Sequence, residues 1–125
     1  MAGTVELKQK RRGVLEGSFQ KMYAYPIIFT ADSADASFPQ IIISGITGRL
    51  ASARVVFDTN TPPDTVDIKV ADSDGVDLLG GTGDGFTVTG KVTLSPPEQF
   101  VNSLIVDLAD NSTNSARVKV ILYVF

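Results

Sequence analysis

The stretch 65–81, TVDIKVADSDGVDLLGG, contains the clearest strand pattern of the chain. Val66, Ile68 and Val70 alternate with charged side chains over its first half. An apolar residue at every second position is typical of a β-strand with one buried face, because successive side chains point to opposite sides of a strand. The same kind of alternation predicts further strands at 50–57, 101–109 and 116–124.

The middle of this stretch, DSDG, has the composition of a tight turn. Asp72 can accept hydrogen bonds from the backbone that follows it, and Gly75 can adopt the positive φ that a G1-bulge hairpin requires. We therefore expect residues 72–75 to join two strands of a hairpin. The second of these strands would be the short run VDLL at 76–79.

The aspartates around this turn suggest a second hypothesis, a calcium site. Counted from Asp72, an EF-hand needs glycine at position 6 and glutamate at position 12. This chain has Asp77 and Gly83 there, and the flanking helices of an EF-hand are not predicted. An ion site of another type stays open, and its candidate ligands are Asp72, Asp74, Asp77 and Asp84.

The remaining sequence divides into short apolar runs that are separated by polar residues, glycine and proline. About eight strands at this spacing predict an all-β fold, a single antiparallel β-sandwich or jelly-roll-like domain over residues 19–125. Residues 1–18 are predicted to form an extended basic arm. Within the arm, a helix is least unfavourable at 5–16, although two glycines weaken it.

Three local features of the predicted strands lead to specific expectations. Pro26 lies within the apolar run 18–30, which predicts an edge strand or a bulge, since proline has no N–H for a sheet ladder. The continuous isoleucine run at 41–43 predicts burial on both faces. The sequence PPEQ at 96–99 predicts a turn.

Two chemically versatile residue types, cysteine and histidine, are absent from the chain. Disulfides, thiolate metal sites and histidine-dependent catalysis are therefore excluded. We predict that the protein is not an enzyme and needs no cofactor. The N-terminal residues lack the apolar core of a signal peptide, and no apolar run is long enough to span a bilayer. Synthesis in a cytoplasm and no membrane association are therefore expected.

The charges are distributed unevenly along the chain. Residues 1–21 carry five basic and two acidic side chains, whereas residues 22–125 carry six basic and twelve acidic ones. Such an arm can dock on an acidic partner, or it can be a solvated terminus. The body has no basic stripe along the sequence, so nucleic-acid binding is not expected. The predicted contacts of the arm are Lys8, Lys10, Arg11 and Arg12.

The last predicted strand has two apolar faces. One face of residues 116–124 is fully apolar, and the other face includes Ile121, Tyr123 and Phe125. This second face is more apolar than a single covered sheet requires, which predicts a contact between subunits. One continuous core within the chain is the alternative.

Part of the chain resembles a known class of proteins. The stretch VDIKVADSDGVDLLGGTGDG, with RVVFDTNTPPDT before it and NSARVKVILYVF after it, resembles small structural proteins encoded among the head and tail genes of tailed bacteriophages. The resemblance covers residues 50–125 and is a pattern of turns and alternation. The matching positions are Thr61, Pro63, Asp67, Asp72, Gly75, Asp77, Leu79, Gly80 and Gly81.

The resemblance implies a β-sandwich component of a virion with no catalytic residues. It implies a capsid decoration or cement protein, or a head fibre, that binds the major capsid protein or another virion protein. A tail or neck protein is the nearest alternative. Such proteins are expected to be homo-oligomers, and a trimer would suit the local three-fold positions of a capsid. The arm would then anchor the domain, and its deletion is expected to leave a folded domain that no longer binds particles.

A carbohydrate- or surface-binding module is the alternative from another functional class. Its site would combine exposed Tyr23 or Tyr25 with calcium held by the four aspartates named above. The chain has no tryptophan for stacking against a sugar ring, which makes this alternative weaker.

Overall fold

The computed structural model describes residues 3–14, 21–58, 62–87 and 89–125. These residues form two antiparallel sheets and contain no helix, so none of them belongs to a helix that could cross a membrane. The prediction of an all-β fold is confirmed. The strands of the described residues are β1 (Thr4–Leu7), β2 (Arg11–Val14), β3 (Lys21–Thr30), β4 (Ile41–Ser44), β5 (Gly48–Phe57), β6 (Asp67–Ala71), β7 (Gly90–Phe100), β8 (Ser103–Ala109) and β9 (Arg117–Val124).

The two sheets differ in size and enclose one core. In the six-stranded sheet, β1 and β2 both pair with the same side of β3, which is followed by β9, β5 and β7. The three-stranded sheet has the order β4, β8, β6. Apolar side chains of both sheets meet between them, as expected for a β-sandwich. Prominent members of this core are Ile27, Phe29, Val55, Val70, Val106 and Leu122.

The alternation predicted for the central strands is confirmed. In and next to β6, Val66, Ile68 and Val70 are at most 2% exposed, whereas Lys69 is exposed. In β8 and β9 the residues that the pattern places inward are buried as well. These strands follow the simple rule because each has one side chain in two directed into the space between the sheets.

The described part of the N-terminal arm belongs to the sheet. β1 and β2 pair with β3, with Val5 opposite Phe29 and packed against the core. The described residues 5–14 of the arm contain no helix, because the open edge of β3 offers backbone partners and Val5 gains burial there. The arm boundary at residue 18 lies outside the described residues. Deletion of the arm would uncover the edge of β3. These contacts do not support the expectation that the domain folds equally well without the arm.

Pro26 lies in an internal strand, not in an edge strand or a bulge as predicted. β3 has β9 on one side and the N-terminal strands on the other, with regular register along β9. The carbonyl oxygen of Pro26 accepts the N–H of Lys8 at 2.8 Å, so its backbone polar groups face the N-terminal strands. Residues 8–10, which connect β1 and β2, lie beside Pro26 on this side of β3. The missing N–H of proline is tolerated because the neighbouring ladder is interrupted at this point.

The isoleucine run of β4 is buried on one face only. Ile43 is 4% exposed, whereas Ile42 is 58% exposed, so the prediction of two buried faces is wrong. β4 is an edge strand of the three-stranded sheet, and nothing in the described part of the chain covers the outer side of Ile42. The continuous isoleucine run at 41–43 therefore does not indicate that β4 is covered on both faces.

Pro96 and Pro97 lie within β7, so the predicted turn at 96–99 is wrong. Among the described strands, β7 is at the edge of its sheet, with β5 as its one neighbour. Its pairing is interrupted between Thr93 and Glu98, where four residues of β7 face one residue of β5. Prolines fit this segment because they need to donate no N–H to the neighbour. The register of β5 shifts at the same point, between Leu50 and Ser52.

Candidate interaction surface

The aspartate-rich stretch forms the predicted hairpin turn. The N–H of Gly75 donates to the carbonyl oxygen of Asp72 at 3.0 Å, and the N–H of Asp72 donates to the carbonyl oxygen of Val76 at 3.1 Å. Gly75 has a φ of 84°, as a G1 bulge requires. The Asp72 carboxylate also accepts the backbone N–H groups of Asp74 and Val76 at 2.9 and 3.0 Å. This carboxylate therefore closes the turn.

Asp77 closes a second turn in the same way. Its two carboxylate oxygens accept the N–H groups of Leu79 and Gly81 at 3.1 and 3.0 Å. The predicted strand at 76–79 is reduced to one bridge, between Asp77 and Ala71, after which the chain turns. The turn directs Leu79 into the core, where it is 2% exposed.

The four candidate ion ligands do not form a metal site. In the part of the chain that the structure describes, no group of three or more acidic side chains is arranged to hold a metal ion. Asp72 and Asp77 are engaged with their own backbone, as described above, while Asp74 and Asp84 are exposed. The stretch is therefore a structural element of the sandwich.

Asp64 connects two loops at the other end of β6, where Asp67 pairs with Ala109. Its carboxylate accepts the N–H groups of Thr65 at 2.8 Å and Ser112 at 3.0 Å, and also the Ser112 hydroxyl. The hydrogen bonds from Ser112, followed by the one from Thr65, lower the pKa of Asp64 to about 2. Hydrogen bonds from Ser37 likewise lower the pKa of Asp35. These carboxylates hold loops in place.

The predicted arm contacts are distributed along the edge of the six-stranded sheet. Lys8 forms an exposed ion pair with Glu6 at 3.0 Å, which contributes little to stability. Arg11 is exposed and lies opposite Ala24. Arg12 belongs to β2, but its side chain lies outside the described part of the structure.

The two tyrosines proposed for sugar binding have different surroundings. The Nζ atom of Lys10 lies 4.8 Å from the ring centre of Tyr23, a cation–π distance. Tyr25 is only 7% exposed, and burial followed by the neighbouring Tyr23 raises its pKa. Tyr25 is therefore part of the core and offers no exposed ring to a sugar.

The three predicted contacts of the C-terminal strand lie on the outer face of the six-stranded sheet. Ile121 is only 6% exposed, and its register neighbours are Pro26 of β3 and Arg54 of β5. Tyr123 and Phe125 are half-buried. Ile121 is thus buried within the chain itself. Tyr123 and Phe125 remain partly exposed and lie at the centre of a surface.

Strand pairing collects basic residues around this centre. The cations of the outer face lie on β2, β5, β7 and β9, so they are far apart in the sequence. The carboxylates of Glu6 and Asp58 are there too, but each is in an ion pair, with Lys8 and Arg117 respectively. The cations that alternation and register place on this outer basic face are Arg11, Arg49, Arg54, Lys91, Arg117 and Lys119.

The sequence did not predict this candidate surface. The expectation of no basic stripe is wrong for the folded chain, because it considered neighbours along the sequence. The register of β5 with β7 and β9 supplied the missing information. Cations at alternate positions of three strands, such as Arg54, Lys91 and Lys119, would have been the sequence signal, provided that the strand order was known.

Three grooves mark the outer basic face, and each is lined by at least one cation. The first has a volume of about 470 Å³ and lies between Arg54 and Lys91. The second, of about 200 Å³, lies beside Arg117 and Lys119. The third, of about 570 Å³, connects Lys119 with the linker between β1 and β2. The face therefore has relief as well as charge, which a docking surface needs for shape complementarity.

The opposite side of the sandwich has another character. The outer face of the three-stranded sheet presents Asp67, Lys69 and Asp107, and the amide of Gln40 donates to Asp107 at 3.1 Å. The segment between β6 and β7 carries further exposed aspartates, Asp74 and Asp84. Charge is thus separated between the two sides of the molecule.

Comparison with known proteins leaves the function to be argued from the surface. No protein-family model matches the chain, and no curated protein matches it significantly. The positions of the phage-like pattern from Pro63 to Gly81 form β6 and the aspartate turns, whereas Thr61 lies outside the described residues. The resemblance to phage structural proteins remains a prediction.

Proposed function

We propose that the protein is a non-enzymatic structural component of a tailed-phage virion, a decoration or cement protein of the head. The observation that carries this proposal is the outer basic face, where cations surround a partly buried apolar centre. Such a surface suits docking on an acidic protein surface, since complementary charge sets orientation and association rate. The resemblance of residues 50–125 to phage structural proteins supports the same proposal.

The partner that we propose is the major capsid protein or another virion protein. The centre of the face combines the aliphatic Pro26, Ile28 and Ile121 with Tyr123 and Phe125, which are only half-exposed. Surfaces for single-stranded nucleic acids use aromatic rings on which successive bases stack. A protein surface with acidic groups around an apolar patch is the better complement. We therefore propose neither nucleic acid nor membrane as a ligand, and we propose that the protein resides in the virion after synthesis in the host cytoplasm.

The N-terminal strands take part in this proposal as a component of the face. Arg11 and Lys8 line the third groove together with Lys119 of β9. The cations of the arm and of the body would therefore contact one partner surface. This arrangement replaces the idea of a free anchor that acts separately from the domain.

We further propose that the protein acts as a homo-oligomer, with a trimer favoured for the local three-fold positions of a capsid. Many copies on one particle would bind cooperatively through avidity, so each single contact can be weak. A tail or neck location would use the same surface and stays the alternative within this class. The carbohydrate-binding alternative has less support, because Tyr25 is buried and the carboxylates of Asp72 and Asp77 bond their own backbone.

A binding experiment with charge-reversal variants tests the proposal. Purified protein is added to particles of the phage that encodes it, produced without this gene, and occupancy is measured after sedimentation. R54E/K119E is expected to reduce binding at least tenfold, because both charges lie on the outer basic face. The matched control is K69E, which reverses an exposed cation on the other sheet and should bind as the wild type does.

Circular dichroism establishes that both variants are folded before they are compared. Wild-type binding should weaken as salt rises, since exposed charge contacts are screened. Full occupancy by R54E/K119E would contradict docking through the outer basic face. Failure of the wild-type protein to bind particles, together with its absence from native particles by mass spectrometry, would contradict a virion role.

A further inference from the structure

Arg54 and Lys91 form an unusual cross-strand pair on the outer basic face. They lie directly opposite each other in the register of β5 and β7. Like charges in this position destabilise a sheet, because their Cβ atoms are about 5 Å apart. Both side chains are exposed, and neither forms an ion pair with any residue that the structure describes. Within the described part of the chain, two positive charges thus lie next to each other with no ion-pair partner.

Hydroxyl groups surround this pair of cations. Ser52, Thr89 and Tyr123 line the same groove, whose volume is about 470 Å³. The Thr89 hydroxyl oxygen accepts the N–H of Phe57 at 3.2 Å, so its own hydrogen remains to be donated. No carboxylate lines the groove in the described part of the chain. Its polar lining therefore consists of groups that can donate hydrogen bonds to an anion.

The backbone at one end of the groove is held in place by the core. A side chain at Gly90, the residue before Lys91, would approach the ring of Phe86 to 2.6 Å. Phe86 is itself fixed by backbone hydrogen bonds of 2.9 Å to Val66 in both directions. Glycine is needed at this position because the ring occupies the space of a Cβ atom. The backbone between Thr89 and Lys91 therefore lies directly against the Phe86 ring.

We propose that the groove between Arg54 and Lys91 is a binding site for one oxyanionic group. Arginine donates two parallel hydrogen bonds to a carboxylate or phosphate, and the lysine ammonium adds a second charge from the opposite strand. The oxyanion would relieve the repulsion between the two cations. The group can come from a carboxylate of an acidic protein or from a phosphate, since the donors suit both.

This inference deepens the proposed function by naming the group that the surface would recognise, and it rests on that function only for the identity of the partner. The site itself is a property of the isolated protein. Small anions can therefore test it without particles. A failure here, with particle binding preserved, would leave the docking surface intact and remove only the oxyanion site.

Nuclear magnetic resonance titration of the full chain tests the proposal. Sodium phosphate and sodium glutarate are added separately, with sodium chloride at equal ionic strength as the reference. We expect saturable shifts of the Ser52, Arg54 and Lys91 amides with dissociation constants on the order of millimolar, since the site is exposed. Saturation by glutarate alone identifies a carboxylate site, saturation by phosphate alone a phosphate site, and saturation by both a general oxyanion site.

Variants at the two cations complete the test. R54Q and K91Q should each weaken anion binding at least tenfold, whereas K69Q on the other sheet should leave it unchanged. Both groove variants should also melt about 1–3 °C higher than the wild type at low salt, because each removes the like-charge repulsion. The proposal is overturned if neither anion gives saturable shifts beyond chloride, or if R54Q and K91Q bind as the wild type does.

Discussion

Replacing Asp77 with alanine removes two hydrogen bonds that close the turn before Gly81. The lost acceptors face the N–H groups of Leu79 and Gly81 at 3.1 and 3.0 Å. A hydrogen bond of this kind contributes about 0.5–1.5 kcal/mol net, so D77A should lower the free energy of unfolding by about 1–3 kcal/mol. Leu79, which the turn directs into the core, would lose part of its support.

Two further variants make this prediction specific. D77N keeps one acceptor oxygen and loses the other, so its loss should be about half as large. D74A is the matched control in the same stretch, because its exposed carboxylate accepts no hydrogen bond from the described residues. Its free energy of unfolding should stay within about 0.5 kcal/mol of the wild type.

Urea denaturation followed by circular dichroism measures all three variants, with and without calcium. Calcium at about 5 mM is above the dissociation constants of weak extracellular calcium sites. A calcium site would therefore raise the urea midpoint of the wild type. We expect no such rise. The structural interpretation of the turn would be refuted if D77A were as stable as D74A, or if calcium stabilised the wild type and not D77A.

Two other predictions concern packing and acid stability. I43A should cost about 2–5 kcal/mol in urea denaturation and I42A less than about 0.5, because Ile43 is buried and Ile42 is 58% exposed; equal costs would contradict the assignment of faces in β4. Since the pKa of Asp64 is lowered to about 2 in the folded chain, its contribution is present above pH 4 and lost as pH falls through 2. The urea midpoint of D64N should therefore approach that of the wild type between pH 4 and 2; a constant gap would refute this linkage.

The parts of the fold that depend on local chemistry could be predicted from the sequence. The alternation of Val66, Ile68 and Val70 and the turn at Gly75 are decided within a few residues, and both are found as expected. The all-β class follows from the recurrence of such patterns. Neighbouring residues carry this information, so no knowledge of the tertiary structure was needed.

The parts that depend on strand neighbours could not be predicted in this way. Ile42 is exposed because no described residue covers the outer face of β4, and Pro97 fits within β7 because that segment is unpaired. The residues of the N-terminal arm form strands because β3 offers them an open edge. Local sequence does not contain the strand order that decides these three cases.

The outer basic face illustrates the same limit at the level of function. Arg54, Lys91 and Lys119 are separated by tens of residues in the sequence and become neighbours through the pairing of β5 with β7 and β9. The sequence did assign Ile121 and Tyr123 to a surface of interest. It could not indicate that Ile121 would be covered by Pro26 and Arg54, since that contact requires the register.

A density map of the intact virion tests the central claim most directly. At a resolution that separates the two sheets, it would identify which side of the sandwich contacts the particle. We expect the outer basic face to lie against an acidic protein surface, with Arg54 and Lys119 in the interface. Contact through the three-stranded sheet, with the outer basic face directed to solvent, would contradict it.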